Sequence, residues 1–120
     1  MKHTVLVIDD DIMNVQMAQG ILQDEYRVAT ATSGADAFKL LDKIIPDLIL
    51  LDVNMPEMDG FQVLEELKKR EDTKKIPVIF LTADRTAETE EECFKLGAVD
   101  YIGKPFVPSI MLQRIHRTIE

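Results

Sequence analysis

Cysteine is almost absent from this chain, since Cys93 is the only one among its 120 residues. An internal disulfide is therefore excluded, and a single thiol is typical of proteins from a reducing compartment. Glycine and proline are also scarce, with five of each, and no linker rich in these residues and no internal repeat divides the chain. We therefore predict one domain over residues 1–120, which is long enough to bury a core without disulfides.

Long hydrophobic runs and an excess of basic residues are missing as well. No stretch approaches the length of a membrane span, and three aspartates at residues 9–11 interrupt the N-terminal segment too early for a signal peptide. Acidic residues outnumber basic ones by 22 to 14, which gives a formal net charge of −8. Such a chain is repelled by nucleic-acid phosphates and by anionic lipid. We expect a cytosolic protein that binds neither nucleic acid nor a membrane directly.

Strand patterns and helix patterns alternate along the whole sequence. The predicted strands cover residues 5–8, 26–30, 48–51, 78–81 and 99–102. The predicted helices cover residues 12–23, a segment that begins at 33–34, and residues 60–70, 87–96 and 108 onward. Five such units in series require right-handed crossovers and a parallel sheet with helices on both faces. The most apolar strands, the first, third and fourth, should be central, which predicts a doubly wound, flavodoxin-like α/β fold with strand order 2-1-3-4-5.

Reactive side chains follow four of these strands. Asp9 and Asp10 follow the first, Asp52 ends the third, Thr82 ends the fourth and Lys104 follows the fifth. The carboxyl ends of parallel strands meet at one edge of the sheet, where open α/β folds bind their ligands. These side chains are therefore expected to converge.

The acidic residues at this edge indicate a metal site. Neighbouring strands lie about 4.8 Å apart, so Asp9, Asp10 and Asp52 should be close to one another. Two like charges about 4 Å apart repel by roughly 4 kcal/mol at an effective dielectric near 20, and a cation would relieve that repulsion. Hard oxygen ligands suit Mg²⁺, with Mn²⁺ as a substitute. Asp11 stands directly before the first helix and is expected to cap it.

The remaining residues of the set favour phosphoryl transfer. A carboxylate such as Asp52 can attack phosphorus and carry an acyl phosphate, while a divalent cation neutralises the developing charge. The Thr82 hydroxyl and the Ala83 N–H are suited to bind phosphoryl oxygens, and Lys104 supplies a positive charge on the side away from the metal. Pro105 would hold the loop after Lys104, and an X-Pro bond permits the cis form.

These motifs resemble the receiver domain of two-component response regulators over essentially the whole chain. The matching segments are VIDDD at 7–11, LLDVNMPEMDG at 50–60, LTA at 81–83 and GAVDYIGKPF at 97–106. The resemblance implies that Asp52 accepts a phosphoryl group from the phosphohistidine of a histidine kinase or phosphotransfer protein. It also implies that Asp10, Asp52 and the backbone carbonyl of Asn54 ligate Mg²⁺ while Asp9 acts mainly through water.

The same resemblance implies a switch and an output. Thr82 would move toward the phosphoryl group, and the Tyr101 ring would fill the space that it leaves. The fourth helix, fifth strand and fifth helix would then control a downstream partner or output domain, and a phosphorylation-dependent homodimer through them is a further expectation. Asn54 and Asp84, two residues after Asp52 and Thr82, would tune hydrolysis, and their polarity predicts fairly rapid self-dephosphorylation. The acidic run at 88–92 is either a solvated face or an attraction for a basic partner surface.

Three other functions share individual features with this sequence. Asp9 and Asp11 have the Asp-x-Asp spacing of aspartate-nucleophile phosphatases, which carry this motif at the end of the first strand. Those enzymes also have a cap region, for which we expect no residues in this chain. A flavin-binding module shares the fold class, yet three aspartates after the first strand would repel the cofactor phosphate. A receiver that has lost phosphorylation and serves only as a docking platform is disfavoured by the intact acidic set together with Thr82 and Lys104. A P-loop is excluded because the Gly-x-x-x-x-Gly-Lys motif is missing.

Overall fold

A computed structural model describes residues 2–84 and 86–120 of the chain. Five strands alternate with five helices along it. The strands are β1 (Thr4–Ile8), β2 (Arg27–Ala31), β3 (Leu48–Asp52), β4 (Val78–Thr82) and β5 (Asp100–Gly103). The helices are α1 (Ile12–Leu22), α2 (Gly34–Leu41), α3 (Gly60–Lys69), α4 (Ala87–Lys95) and α5 (Pro108–Ile119).

All strand pairs are parallel, and the sheet has the order β2-β1-β3-β4-β5. The predicted doubly wound fold and strand order are thus confirmed. The predicted boundaries of β2 and β5 were one residue too early. Tyr26 belongs to the turn after α1, where its N–H donates to the Leu22 carbonyl, and Val99 stands exposed just before β5.

The apolar strands supply the sheet with two hydrophobic cores. Successive side chains of a strand point to opposite faces, so β1 sends Leu6 and Ile8 to one face and Val5 and Val7 to the other. Helices α2, α3 and α4 pack on the first face, and α1 and α5 pack on the second. An uninterrupted apolar run was therefore the correct signal for a central strand covered on both sides.

Local signals at the helix ends agree with this architecture. Asp11 is the N-cap of α1, and its side chain accepts a hydrogen bond from the Met13 N–H, as predicted. The helix predicted over residues 87–96 ends where expected, since Leu96 is the C-cap of α4 and Gly97 adopts φ 107°, a left-handed conformation that favours glycine. Among the described residues, no helix is long and apolar enough to cross a membrane.

Candidate functional site

The carboxyl ends of β1 and β3 bring three aspartates together. One carboxylate oxygen from each of Asp9, Asp10 and Asp52 lies within 4.8 Å of the other two. Asp9 is fully buried and Asp52 is 3% exposed, whereas Asp10 is exposed to solvent. The backbone explains this placement, since the Asp9 N–H donates to the Ala31 carbonyl of the adjacent strand. Asp11, which caps α1, is not part of the cluster.

Lys104 contacts both buried carboxylates from the loop after β5. Its Nζ donates a hydrogen bond to Asp52 Oδ1 at 2.8 Å and lies 3.0 Å from Asp9 Oδ2 as an ion pair. The ammonium reaches the cluster because the Lys104 N–H is bonded to the Thr82 carbonyl at the end of β4. The Lys104–Pro105 peptide bond is cis. The predicted convergence of Asp9, Asp10, Asp52 and Lys104 is therefore observed.

The electrostatics of this cluster are dominated by the burial of charge. Desolvation raises the pKa of Asp52 to about 7, with the hydrogen bond from Lys104 opposing the shift and the charge of Asp9 adding to it. Burial alone would lower the pKa of Lys104, but its hydrogen bonds and ion pairs with Asp52 and Asp9 outweigh that effect and raise it. One ammonium thus partly compensates two buried carboxylates.

The donor set fits a small divalent cation. Asp9 Oδ2 is buried, and it shares the Lys104 ammonium, 3.0 Å away, with Asp52, so the negative charge of the cluster exceeds the positive charge beside it. Two further carboxylates open onto the same place, and oxygen-only ligation with one exposed member is typical of Mg²⁺. Asn54 is also close to the cluster, since its N–H donates to Asp52 Oδ1 at 3.3 Å.

Thr82 lies at the same edge of the sheet, but its hydroxyl is already engaged. Thr82 is 1% exposed, and its Oγ1 both donates to the Asp84 carbonyl and accepts from the Asp84 N–H, each at 3.0 Å. Ala83 is exposed beside it. The structure therefore brings Thr82 to the site and holds its hydroxyl against the β4–α4 loop.

Tyr101 stands on the edge strand β5, with its side chain half-buried against the core that α2, α3 and α4 cover. The ring packs edge-on against Phe94 with centroids 6.1 Å apart, and the Arg114 guanidinium lies 5.5 Å from the ring centroid. A cavity of about 330 Å³ opens beside it, lined by residues of α4, β5 and α5 that include Glu90, Val107 and Ile110. This cavity lies on the predicted output surface, away from the aspartate cluster.

Two structural features of the site were not predicted from the sequence. Gly60 presses against the end of β3 so closely that a Cβ at this position would lie 2.2 Å from the Asp52 carbonyl oxygen. The Asp84 carboxylate accepts hydrogen bonds from Thr86 and Thr89 at the start of α4. Gly60 is visible in the sequence directly after Asp59, but there it indicates only the start of a helix. The role of Asp84 depends on a loop geometry that no local pattern specifies.

Comparison with known proteins places this geometry in a family. The family model described as the response regulator receiver domain matches residues 5–116. A probable cyclic di-GMP phosphodiesterase of Vibrio cholerae serotype O1 is 42% identical over 118 residues, which are 98% of this chain and 26% of that protein. The transcriptional regulatory protein ZraR of Salmonella typhimurium is 38% identical over 120 residues, 99% of this chain and 26% of that protein. The chain thus spans about a quarter of the length of these curated relatives.

Solved structures agree in both fold and extent. The chemotaxis protein CheY4 of Vibrio cholerae superposes with a TM-score of 0.93 at 34% identity, over 98% of this chain and 99% of that one. The receiver domain of the sensor histidine kinase PA1611 from Pseudomonas aeruginosa, solved with a magnesium ion in its active-site cleft, has a TM-score of 0.89 at 28% identity, over 99% and 98% of the two chains. The chain therefore belongs to the family of response regulator receiver domains, the signalling domains of two-component systems.

Proposed function

We propose that Asp52 accepts a phosphoryl group from the phosphohistidine of a histidine kinase or phosphotransfer protein. The observation that carries this proposal is the contact of Asp52 with Lys104 at 2.8 Å inside a cluster of three carboxylates. A nucleophilic carboxylate, a fixed positive charge and a set of metal ligands are the parts that phosphoryl transfer requires.

The transfer exchanges one bond to phosphorus for another. An oxygen of Asp52 attacks phosphorus, the new O–P bond forms, and the P–N bond to the donor imidazole breaks. The imidazole leaves with the bonding electrons and is neutral once its ring carries one proton. Lys104 then faces the phosphoryl dianion on Asp52. Its ammonium, which pairs with both Asp9 and Asp52 in the unphosphorylated chain, now compensates the charge of the phosphoryl group. Thr82 and the Ala83 N–H bind the other phosphoryl oxygens.

Asp9, Asp10, Asp52 and the backbone carbonyl of Asn54 are the groups that would hold Mg²⁺, or Mn²⁺ in its place. When bound, the ion supplies positive charge to the phosphoryl oxygens in the transition state. Asp10 is the exposed member of the set, so its carboxylate can bind or release the ion at a small cost in free energy. Both carboxylate oxygens of Asp9 already have partners, the Asp11 N–H and the Lys104 ammonium, so Asp9 would act on the ion mainly through water.

Loss of the phosphoryl group is a second phosphoryl transfer, in which water is the acceptor. A water molecule attacks phosphorus, the bond to Asp52 breaks, and inorganic phosphate leaves. Asn54 and Asp84, two residues after Asp52 and Thr82, are both exposed, and in this proposal their polar side chains orient that water. We therefore propose that the chain dephosphorylates itself fairly rapidly.

The output of this reaction is proposed to be the surface of α4, β5 and α5. Thr82 at the end of β4 and Tyr101 on β5 connect the acceptor to it. The downstream partner is an output domain, a separate target protein or a second copy of the chain. Relatives of greater length include a probable phosphodiesterase and a transcriptional regulatory protein, so the class of output differs among them.

The test is intact-mass spectrometry after incubation with acetyl phosphate, with and without Mg²⁺. Wild-type protein is expected to gain one phosphoryl group only when Mg²⁺ is present, and Asp52→Asn is expected to gain none. Asp24→Asn, an exposed aspartate far from the cluster in sequence, controls for the loss of one acidic charge. If wild-type protein gains no mass under conditions that modify a known receiver, the docking-platform interpretation replaces this proposal.

A further inference from the structure

The hydroxyl of Thr82 cannot bind a phosphoryl oxygen while its present hydrogen bonds persist. A hydroxyl group has one proton, and that of Thr82 is donated to the Asp84 carbonyl at 3.0 Å. The oxygen accepts from the Asp84 N–H at the same distance. Because Thr82 is 1% exposed, water does not compete for these bonds. Phosphoryl binding by Thr82 thus requires that it separate from Asp84.

Asp84 is itself fixed by the first turn of α4. Its Oδ1 accepts from the Thr86 N–H at 3.0 Å, and its Oδ2 accepts from the Thr89 hydroxyl at 2.8 Å. These hydrogen bonds, that of the Thr86 backbone first, hold the pKa of Asp84 below its ordinary value. The carboxylate therefore remains an ionised acceptor, and charge-assisted hydrogen bonds of this kind are stronger than neutral ones.

We propose that Thr89 and Asp84 form a latch that holds the Thr82 hydroxyl away from Asp52 until phosphorylation. This inference rests on the proposed function, in which Thr82 and the Ala83 N–H bind the phosphoryl group. Since both groups belong to the backbone segment that ends at Asp84, their movement toward phosphate pulls Asp84 away from Thr89. Thr89 acts through Asp84 and is a positioning residue.

The latch also couples the acceptor to the output surface. Thr89 lies on α4, and its neighbour Glu90 lines the cavity beside Tyr101. Opening the latch releases the first turn of α4 from the β4–α4 loop. If Thr82 stabilises the phosphoryl group only after the latch opens, the free energy of opening is part of the barrier to transfer, and weakening the bond at Thr89 is expected to raise the rate of phosphorylation at Asp52.

The test compares three variants in their rate of Mg²⁺-dependent phosphorylation by acetyl phosphate. Thr89→Val keeps the branched shape but removes the hydroxyl, which donates to Asp84 Oδ2 and accepts a longer hydrogen bond of 3.3 Å from the Thr86 hydroxyl. The rate is expected to rise by roughly two- to tenfold, the range allowed by the loss of the bond to Asp84. Thr89→Ser keeps the hydroxyl and is expected to restore the wild-type rate. Thr118→Val is the matched control, because the Thr118 hydroxyl also makes one helical hydrogen bond, to the Arg114 carbonyl at 2.7 Å.

The outcomes separate the latch from the reaction it regulates. Equal rates for Thr89→Val, Thr118→Val and wild type overturn the latch and leave the proposed function standing. A wild-type chain that gains no phosphoryl group overturns the proposed function and the latch with it. A purely structural role of Thr89 lowers the thermal stability of Thr89→Val without raising its phosphorylation rate, and that result also overturns the latch.

A second measurement works on the wild-type chain and does not depend on the folding of a variant. Beryllium fluoride, a phosphoryl analogue, is added with Mg²⁺ while the threonine methyl signals are followed by NMR. The Thr89 signal is expected to shift, whereas that of Thr73, which is buried with its hydroxyl on the Leu67 carbonyl, is expected to stay. A stationary Thr89 signal in a chain that has bound the analogue overturns the latch.

Discussion

Two carboxylates that are nearly inaccessible to solvent, those of Asp9 and Asp52, both contact the ammonium group of Lys104. The carboxylates can be buried only because the ammonium compensates their charge, and the ammonium can be buried only because the carboxylates compensate its own. Removal of the lysine would leave two buried charges without a partner, which is among the most costly changes a protein can undergo. The neighbouring residues are less constrained, since Asp10 and Asn54 are exposed. At the scale of the residue, reactivity and stability are therefore in conflict at Asp52.

Asp52→Asn is expected to stabilise the protein in the absence of divalent cations. Burial raises the pKa of Asp52 to about 7, so the protonated form contributes stability that is fully present below its unfolded pKa near 4 and is lost as the pH rises through about 7. The amide does not ionise and avoids that loss. Thermal denaturation in EDTA should show a melting temperature for the variant that exceeds the wild-type value by several degrees at pH 7.

The same comparison at lower pH supplies the control for this prediction. The advantage of Asp52→Asn should shrink as the pH falls from 7 toward 4, because wild-type Asp52 then becomes protonated. Asp24→Asn, at an exposed position, should show no such pH dependence. A variant that melts below wild type at pH 7 would contradict the balance of charges described for the cluster.

Gly60→Ala is expected to be strongly unfavourable, because its new methyl group would overlap the backbone at Asp52. The approach of 2.2 Å is to a carbonyl oxygen that cannot move without shifting the end of β3. Overpacking of this kind costs about 1–3 kcal/mol, and here it also displaces the acceptor. Urea denaturation should show the loss of stability, and the rate of phosphorylation by acetyl phosphate should fall with it.

Gly20→Ala is the matched control within the same fold. Gly20 lies inside α1, and apart from its chain neighbours and the backbone of its own helix, no described atom lies within 4 Å of the position that its Cβ would occupy. Alanine in a helix interior is favoured over glycine by roughly 0.5–1 kcal/mol, so this variant should be more stable than wild type. Equal effects of the two substitutions would show that helix propensity, and not the contact with Asp52, governs Gly60.

At the scale of the element, α4 differs from the other helices in how it is held. Cys93 is its one buried residue among those that the structure describes, whereas α3 buries four. Its exposed face carries several glutamates, and its first turn is joined to the β4–α4 loop through Asp84. A helix with few buried contacts can move at a small cost in free energy. This property suits the element that we propose as part of the output surface.

Cys93 provides a chemical measure of that movement. Its thiol is fully buried, and desolvation, with the charge of Glu92 adding, raises its pKa to about 11. Alkylation of native protein at pH 8 should therefore be far slower than that of a free cysteine, because the thiolate is the reactive form. It should nevertheless proceed through a local opening of α4 whose free energy is smaller than that of global unfolding.

The labelling rate as a function of urea distinguishes local from global opening. A local opening of α4 exposes little surface, so the rate should depend only weakly on low concentrations of urea. A rate with the full urea dependence of unfolding would contradict the weak attachment of α4. A rate equal to that of an unfolded control at zero urea would contradict the burial of the thiol.

At the scale of the whole molecule, cation binding at the site and the free energy of unfolding are thermodynamically linked. Asp9 and Asp10 directly follow β1 and Asp52 ends β3, so a cation bound by them stabilises the arrangement of the central strands. A ligand that binds only the folded state raises the free energy of unfolding by about 2.7 kcal/mol at one hundred times its dissociation constant. Global stability is thus a readout of the metal site that needs no phosphoryl donor.

Asp10→Asn and Asp11→Asn form a matched pair for that readout. The two residues are adjacent and exposed, but Asp10 belongs to the carboxylate cluster and Asp11 caps α1. The rise in melting temperature with Mg²⁺ is expected to be smaller in Asp10→Asn than in wild type, and to be unchanged in Asp11→Asn. An equal response to Mg²⁺ in Asp10→Asn and wild type would remove Asp10 from the proposed ligand set.

The sequence by itself determined the order of elements, the class of fold and the edge at which the reactive residues meet. The spacing of apolar residues carries that information locally. An uninterrupted apolar run indicates a strand with helices on both faces, and the polar residue after it indicates where the strand ends. The capping role of Asp11 and the stop at Gly97 were readable for the same reason. Strand boundaries were less exact, because β2 and β5 begin where pairing with a neighbour begins, and the first residue of a pattern does not specify that point.

Only the tertiary structure decided which partner each polar group takes. Lys104 contacts Asp9 as well as Asp52, Thr82 is bonded to Asp84, and Gly60 is pressed against the Asp52 carbonyl. Each of these facts depends on distances between segments that are remote in the chain or on the path of one loop. Hydrogen bonds and close contacts are selective at a scale below 1 Å, whereas sequence patterns specify only the face or the edge on which a residue lies.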